Sequence, residues 1–318
     1  GLNSNLKSHT ILEMKNMLTH SLRKPSGLPR LLILGCGDVG MRLLPQLAAR
    51  FRVFAVTSQP ARCAQLREAG AVPIVANLDD RASLKRLAGL AARIVHLAPP
   101  MSSGLLDRRT RNLAAILPEH ARMVYVSTSG VYGDCGGARV DETRPTAPAN
   151  ARAKRRVDAE QVLRNWGARR GATVAILRVP GIYADDRLPL KRLREGTPAL
   201  AADDDVYTNH IHADDLARII ERALWRGKPG RVYHASDDSE LKMAEYFDAV
   251  ADTFGLPRPP RLPRAELRQV VTPMLLSFMS ESRRLHNTRI KRELGVRLRY
   301  ARVADALQAL AAGGGRIG

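Results

Sequence analysis

Leu31-Leu32-Ile33-Leu34-Gly35-Cys36-Gly37-Asp38-Val39-Gly40 is the stretch on which the reading of this chain turns. Four apolar residues run straight into Gly-x-Gly-x-x-Gly, and a helical pattern opens at about Val39. A strand that feeds a helix through such a loop has the form of the first βα turn of a dinucleotide-binding fold. The first glycine, Gly35, takes the tight turn; the second, Gly37, lets a pyrophosphate approach the backbone; the third, Gly40, lets helix and strand pack closely. Asp38 and Val39 sit between them, where the helix N-terminus faces the phosphates. The spacing alone is weak evidence, and its context decides.

Working outward, the context is a β/α alternation. Short apolar runs at 51–57, 72–75, 92–98, 122–127 and 173–179 alternate with helical stretches from about 39, from about 61, over 105–117 and over 151–166. A last strand at 231–236 follows a helix over 213–225. Such alternation predicts parallel strands joined by crossover helices, and strands apolar on both faces predict helices on both sides. The fold class is therefore α/β: a doubly wound parallel-sheet Rossmann fold. Proline and glycine interrupt the pattern at 180–205 and 255–263, and short helical patterns follow at 240–254, 264–280 and 287–294. These form a smaller, mostly helical lobe. The expected organisation is a flexible leader over 1–29, a dinucleotide-binding domain over 30–180 and 206–236, and a substrate lobe over 181–205 and 237–318.

Beyond the second strand, folds that prefer NAD place a carboxylate on the ribose 2′-hydroxyl. Here the strand ends in Thr57-Ser58-Gln59, no carboxylate follows until Glu68, and Arg62 lies one turn into the next element. A guanidinium there suits a 2′-phosphate, so the reading favours NADP, with NAD as the alternative.

Composition narrows the classes further. The 318 residues carry 51 Lys+Arg against 31 Asp+Glu, a net charge of +20. The arginines are spread through nearly every segment and aromatics amount to only 4%, which argues against a nucleic-acid-binding surface and for a basic surface that favours anionic small ligands. Cys36, Cys63 and Cys135 are too few and too scattered for a disulfide framework or a metal site, which suits a reducing cytoplasm. No apolar run approaches the roughly 18 residues of a membrane span. The expectation is a cytoplasmic protein with no metal, no membrane and no nucleic-acid partner.

From here the chain resembles the extended short-chain dehydrogenase/reductases, the NAD-dependent epimerase/dehydratase group, over nearly all of 30–312. The resemblance rests on ordered landmarks: the glycine loop; Asn77-Leu78-Asp79-Asp80; His96-Leu97-Ala98; Ser127-Thr128-Ser129-Gly130-Val131-Tyr132-Gly133; Arg178-Val179-Pro180-Gly181-Ile182-Tyr183; and Ile211-His212-Ala213-Asp214-Asp215-Leu216. It implies that Asn77 and Leu78 border the adenine, that Leu97, Ala98 and Pro99 line the cofactor beside the ribose, and that Pro180 to Ile182 lie near the nicotinamide. It also implies a homodimer through helices at about 104–118 and 150–166. His96, His212 and Asp214 read as packing and capping residues.

The family's chemistry implies a hydroxyl that polarises the substrate oxygen, a tyrosine acid/base, and a lysine four residues later on the same helix face. Thr128 stands in the hydroxyl's place. The tyrosine is missing. Anchored on Pro148 and Glu160, the register puts Arg152 in the tyrosine place and Arg156 in the lysine place; a two-residue shift would put Asn150 and Lys154 there instead. An arginine can hold an oxyanion or a phosphate but is a poor proton shuttle. Tyr125, Tyr132 and Tyr183 read as packing residues before substitutes. The sequence thus describes an atypical member: an NAD(P)-binding oxidoreductase or epimerase/dehydratase-like enzyme for a small polar or nucleotide-sugar-like substrate, or else a dinucleotide-binding sensor without turnover.

Overall fold

In the computed structural model of the chain the described residues are 27–313. The expected leader falls almost wholly outside them. Seven parallel strands form the central sheet: β1 (Arg30–Leu34), β2 (Arg52–Thr57), β3 (Val72–Val75), β4 (Arg93–His96), β5 (Arg122–Thr128), β6 (Thr173–Val179) and β7 (Arg231–His234), in the order β7-β6-β5-β4-β1-β2-β3. The order reverses between β1 and β4. Helices are α1 (Asp38–Ala48), α2 (Cys63–Glu68), α3 (Arg108–Ala114), α4 (Ala151–Arg170), α5 (Leu190–Arg194), α6 (Ala213–Arg226), α7 (Met243–Thr253), α8 (Arg264–Leu267), α9 (Pro273–Phe278), α10 (Thr288–Glu293) and α11 (Val303–Ala312).

The period of two in the strands builds two cores. Leu31, Ile33, Val53, Ala55, Val95 and Val124 face one side, under Leu43, Leu44 and Leu47 of α1 and Leu216, Ile219 and Ile220 of α6. Their neighbours Leu32, Leu34, Phe54, Val56, Ile94 and Met123 face the other, under Leu113 of α3 and Ala159, Leu163 and Trp166 of α4. Every strand of β1, β2 and β4 is therefore buried on both faces, as a covered parallel sheet requires.

Helix ends follow local chemistry. Asn150 caps α4, its side chain accepting from Ala153 N at 2.9 Å, and Gly171 at φ 61° closes it in the left-handed region. The helix expected over 105–117 is shorter, because the buried Asp107 side chain accepts from Thr110 N and fixes the start at Arg108. Ahead of it, Leu105 and Leu106 are exposed.

A separate apolar cluster joins Leu193 of α5, Phe247 and Val250 of α7 and Val303 and Leu307 of α11 with Tyr183 and Ala199 from short strands. The strands in this part are two or three residues long, such as Tyr207–Thr208 against Leu241–Lys242. Ile290, Leu294 and Val296, which the pattern grouped with this lobe, belong to the core beneath the central sheet.

Candidate functional site: a cleft at the sheet's carboxyl edge

The strand reversal between β1 and β4 separates the loops that follow them, which is where open α/β sheets bind their ligands. A cleft of about 590 Å³ opens there, within the range of roughly 300–1,000 Å³ typical of small-molecule sites. Gly35, Gly37, Asp38, Val39, Gly40, Thr57, Ser58, Arg62, Asn77, Leu78, Leu97, Ala98 and Pro99, singled out in the sequence, all line it. Pro180, Thr128, Arg152 and Arg156 lie outside its lining.

The three glycines differ in what they permit. Gly35 has φ 82°, and a Cβ there would stand 2.6 Å from the Ala98 Cα, so both the turn and the approach of the β4 loop exclude a side chain. Gly40 would press a Cβ to 2.8 Å from the Cys36 Sγ. Gly37 is the exception: its φ is −84° and a Cβ would meet nothing within 4 Å. It is glycine although nothing in the protein itself crowds it. Gly37 is also the N-cap of α1 and supplies no side-chain acceptor, which leaves the first N–H groups of an eleven-residue helix without a side-chain cap. An uncapped helix terminus beside an uncrowded glycine fits a pyrophosphate.

At the end of β2, Thr57 Oγ1 accepts from Gln59 N at 3.1 Å, so this hydroxyl is part of the turn. Arg62 reaches back over the glycine loop and donates from Nη1 to the Cys36 carbonyl. Its guanidinium thus stands at the glycine loop and lines the cleft together with Thr57 and Ser58 from the end of β2. Asn77 Oδ1 accepts from Asp79 N, and the Leu78 carbonyl accepts from Asn112 Nδ2 at 2.9 Å, which fixes the wall beyond β3. Arg109, which carried no signal in the sequence, bridges this wall to the next: it donates to both Asp79 oxygens at 2.8 and 3.1 Å and to the Pro99 carbonyl at 3.2 Å. That pairing holds the Asp79 carboxyl below the usual range. In the loop itself, burial pushes the Cys36 thiol up to about 11, so it stays protonated and inert at neutral pH.

The region between the end of β5 and the start of α4 is filled. Ser127 is buried and donates to Glu160 Oε2 at 2.6 Å, whereas Thr128, at the very end of β5, is half-buried and caps no turn. On α4, Asn150 is spent as the cap and Lys154 is exposed, so the face turned toward β5 carries Arg156. Arg156 Nη1 donates to Tyr125 Oη and to the Val126 carbonyl, each at 3.2 Å. Arg152 turns to the other lobe, its guanidinium 4.5 Å from the Phe278 ring centre and Nη2 donating to Ser277 Oγ at 3.2 Å.

Behind Thr128 lies a buried polar chain that the sequence did not disclose. Glu160 and Arg178 pair at 2.6 Å with side chains 2% and 3% exposed; Arg178 donates to Tyr132 Oη at 2.8 Å, and Tyr132 lies 2.7 Å from His234 Nε2. His234 Nδ1 lies 2.8 Å from the His286 carbonyl and so must be the protonated nitrogen, leaving Nε2 to accept from the tyrosine. Burial holds this imidazole down at about 3. Burial pushes Tyr125 up to about 12 and raises Tyr132 and Tyr183, so all three tyrosines stay protonated at neutral pH. His96 is likewise held neutral by burial, its Nε2 2.9 Å from Thr110 Oγ1, and His212 caps α6 by accepting from Asp214 N.

Among the described residues no cluster of three or more His, Cys, Asp or Glu could hold a metal ion, and no helix is long and apolar enough to cross a membrane.

Comparison with known proteins agrees with this geometry. A family model described as NAD(P)H-binding matches residues 35–225, more than half of the chain. A conserved protein of unknown function from Silicibacter pomeroyi is 31% identical, with a TM-score of 0.75 over 90% of this chain and 99% of that one. A putative NAD-dependent epimerase/dehydratase from Methylobacillus flagellatus is 26% identical, with a TM-score of 0.67 over 91% and 99%. Among curated relatives, human dTDP-D-glucose 4,6-dehydratase is 25% identical over 132 residues, and dTDP-glucose 4,6-dehydratase of Streptomyces niveus 25% over 178 residues. Those matches span 39% and 54% of this chain and only 38% and 51% of the relatives. The chain belongs to the NAD(P)H-binding family and is an extended short-chain dehydrogenase/reductase of the NAD-dependent epimerase/dehydratase type.

Proposed function

We propose that the protein is an NADP(H)-dependent oxidoreductase or epimerase/dehydratase-like enzyme acting on a small polar, anionic or nucleotide-sugar-like substrate. The observation that carries this reading is the cleft at the β1/β4 reversal, with uncrowded Gly37 at the α1 terminus and Arg62 in place of a carboxylate beyond β2. The nicotinamide, when bound, supplies the hydride chemistry. Thr128 is the hydroxyl that polarises the reacting oxygen, since Ser127 is committed to Glu160. Arg156 takes the lysine's place, and Arg152 holds an anionic group of the substrate between the sheet and the segments 181–205 and 237–313, giving up Ser277 to do so. Titration with NADPH and NADH followed by a panel of sugar nucleotides, reading the absorbance of the reduced nicotinamide, tests both halves. Tight NADPH binding with hydride transfer to or from one of them is expected. Absence of any dinucleotide binding overturns the reading.

A second reading, a dinucleotide-binding sensor without turnover, is favoured by one observation: Arg156 is already bonded to Tyr125 and Val126, and none of Thr128, Arg152 and Arg156 lines the cleft. Under it, NADPH binds tightly, no substrate exchanges hydride, and Arg156→Lys restores none. We also propose a homodimer formed through α3 and α4 together with the exposed Leu105 and Leu106, to be read as twice the monomer mass in light scattering at micromolar concentration.

A further inference from the structure

Arg187 lines the cofactor cleft although it belongs to none of the elements that build it. It comes from the chain after β6, where Gly181–Tyr183 pairs with His210–His212 and the next residues fold into a tight turn. Ala184 and Arg187 bond both ways across this turn, Arg187 N to Ala184 O at 2.9 Å and Ala184 N to Arg187 O at 3.4 Å. The root is anchored by Tyr183, which is 2% exposed. The turn is strapped to the glycine loop by four alternating charges: Asp186 Oδ1 to Arg42 Nη2 at 2.6 Å, Arg42 Nε to Asp38 Oδ2 at 3.1 Å, and Arg187 Nη1 to the same Asp38 oxygen at 2.9 Å. Arg42 is therefore shared by Asp38 and Asp186, while Arg187 has only Asp38.

Asp38 is a peculiar residue for this place. It is the first residue of α1, next to Gly37, and its carboxylate stands where the dinucleotide's pyrophosphate needs positive potential. An isolated acid there repels the ligand. Held by two guanidiniums it does the reverse, keeping Arg187 beside the glycine loop at the start of α1. Both partners of the Asp38–Arg187 contact are about half exposed, so the ion pair adds little to stability by itself.

We propose that Arg187 is a ligand of the cofactor pyrophosphate, presented by the 184–187 turn and parked on Asp38, so that the α1 terminus and a guanidinium hold the phosphates together. A guanidinium forks onto two phosphate oxygens, and its bonds to an anion are of the strong, charge-assisted kind. The inference rests on the cofactor reading above and adds to it a contact from outside the glycine loop.

The test uses the full chain and two probes: ADP-ribose, which carries the pyrophosphate, and adenosine, which does not, with NADPH as the reference, all by isothermal titration. Arg187→Gln is expected to weaken ADP-ribose and NADPH about ten-fold or more while leaving adenosine unchanged. Asp38→Asn is expected to weaken ADP-ribose in the wild-type background, where it frees Arg187 from the position the acid holds, and not in the Arg187→Gln background, because the two residues act through one contact. Circular dichroism confirms that each variant is folded. Equal ADP-ribose affinity in wild type and Arg187→Gln overturns the proposal and leaves the cofactor reading intact. A wild-type chain that binds neither NADPH nor ADP-ribose overturns both.

Discussion

Around the glycine loop a Cβ on Gly37 would meet nothing within 4 Å and α1 starts without a side-chain cap, whereas at the start of α4 Asn150 caps the helix, Arg156 is bonded to β5 and Glu160 is locked onto Arg178. Both ends lie along the carboxyl edge of one sheet. The first leaves donors and space uncommitted; the second commits nearly every polar atom to another. Uncommitted groups contribute to binding and little to stability, and committed buried groups do the opposite. The glycine-loop end and the α4 end should therefore fail in different ways when altered.

The largest expected effect belongs to the filled end. Glu160→Ala leaves the Arg178 guanidinium buried without its anion, and removing one partner of such a pair costs about 3–5 kcal/mol of stability. Urea unfolding should show this loss, with dinucleotide affinity retained in the fraction that stays folded. The double change Glu160→Leu with Arg178→Met should recover much of the loss, since exchanging a buried ion pair for apolar groups of similar volume is often neutral. Equal instability of single and double variants would show that Ser127 and Tyr132, the further partners of the chain, carry the effect instead.

Asp237, just beyond β7, extends the comparison to the junction with the second lobe. Its Oδ1 accepts from Ser239 N at 2.8 Å, its Oδ2 has no partner, and burial pushes the carboxyl up to about 7. A carboxyl raised above its unfolded value near 3.9 favours folding in its protonated form. The stabilisation is complete below about pH 4 and is lost as pH rises through 7, a span of roughly three units, or on the order of 4 kcal/mol. Asp237→Asn removes that slope while keeping an acceptor for Ser239. Unfolding free energies at pH 5 and pH 9 should differ less in the variant than in the wild type. His96, His210 and His234, held at about 3, 4 and 3 by burial, lose stability as pH falls below their ordinary 6.5, but they do so in both proteins and cancel.

At the open end the sign reverses. Gly37→Val should lower NADPH affinity at least about 100-fold, because the side chain enters the space the pyrophosphate needs, while the unfolding midpoint barely moves. Gly35→Ala offers the contrast: at φ 82°, with Ala98 Cα 2.6 Å away, it should destabilise the fold itself. A Gly37→Val protein that binds NADPH normally would remove the phosphate-loop assignment and everything built on it.

These two glycines also show what the sequence makes legible. The loop was legible because its residues are adjacent in sequence and its context, strand then helix, is local. The sheet was legible because Leu31 and Ile33 alternate with Leu32 and Leu34, apolar on both faces. The second lobe resisted, since strands as short as Leu241–Lys242 contain no period, and the apolar face of Ile290 and Leu294 does not say which core receives it. Arg109 and Arg187 reach the cleft from elements far along the chain, and a lone surface arginine looks the same in sequence whether it lines a site or not. Thr128, Arg152 and Arg156 came from matching a motif, which names positions; their hydrogen bonds depend on Tyr125, Val126 and Ser277, and no motif contains those.

The smallest expected effect is also the most discriminating. Arg62 donates to the Cys36 carbonyl from the start of the segment after β2, and no carboxylate stands between it and the adenosine end of the cleft. If this guanidinium meets a 2′-phosphate, Arg62→Ala removes one charge-assisted contact from NADPH and none from NADH. The expected loss is about ten-fold in NADPH affinity, or about 1.4 kcal/mol, with NADH nearly unchanged. The bond to Cys36 gives a rival outcome. Should Arg62 serve to hold the glycine loop in shape, both cofactors would weaken together, because the loop carries the pyrophosphate that they share. Fluorescence titration of the two reduced cofactors against wild type, Arg62→Ala and Arg62→Lys separates these cases. A lysine keeps the charge but not the fork, so it should retain part of the NADPH preference if the role is electrostatic. An unchanged ratio of NADPH to NADH affinity across all three proteins would place the choice of cofactor elsewhere in the cleft.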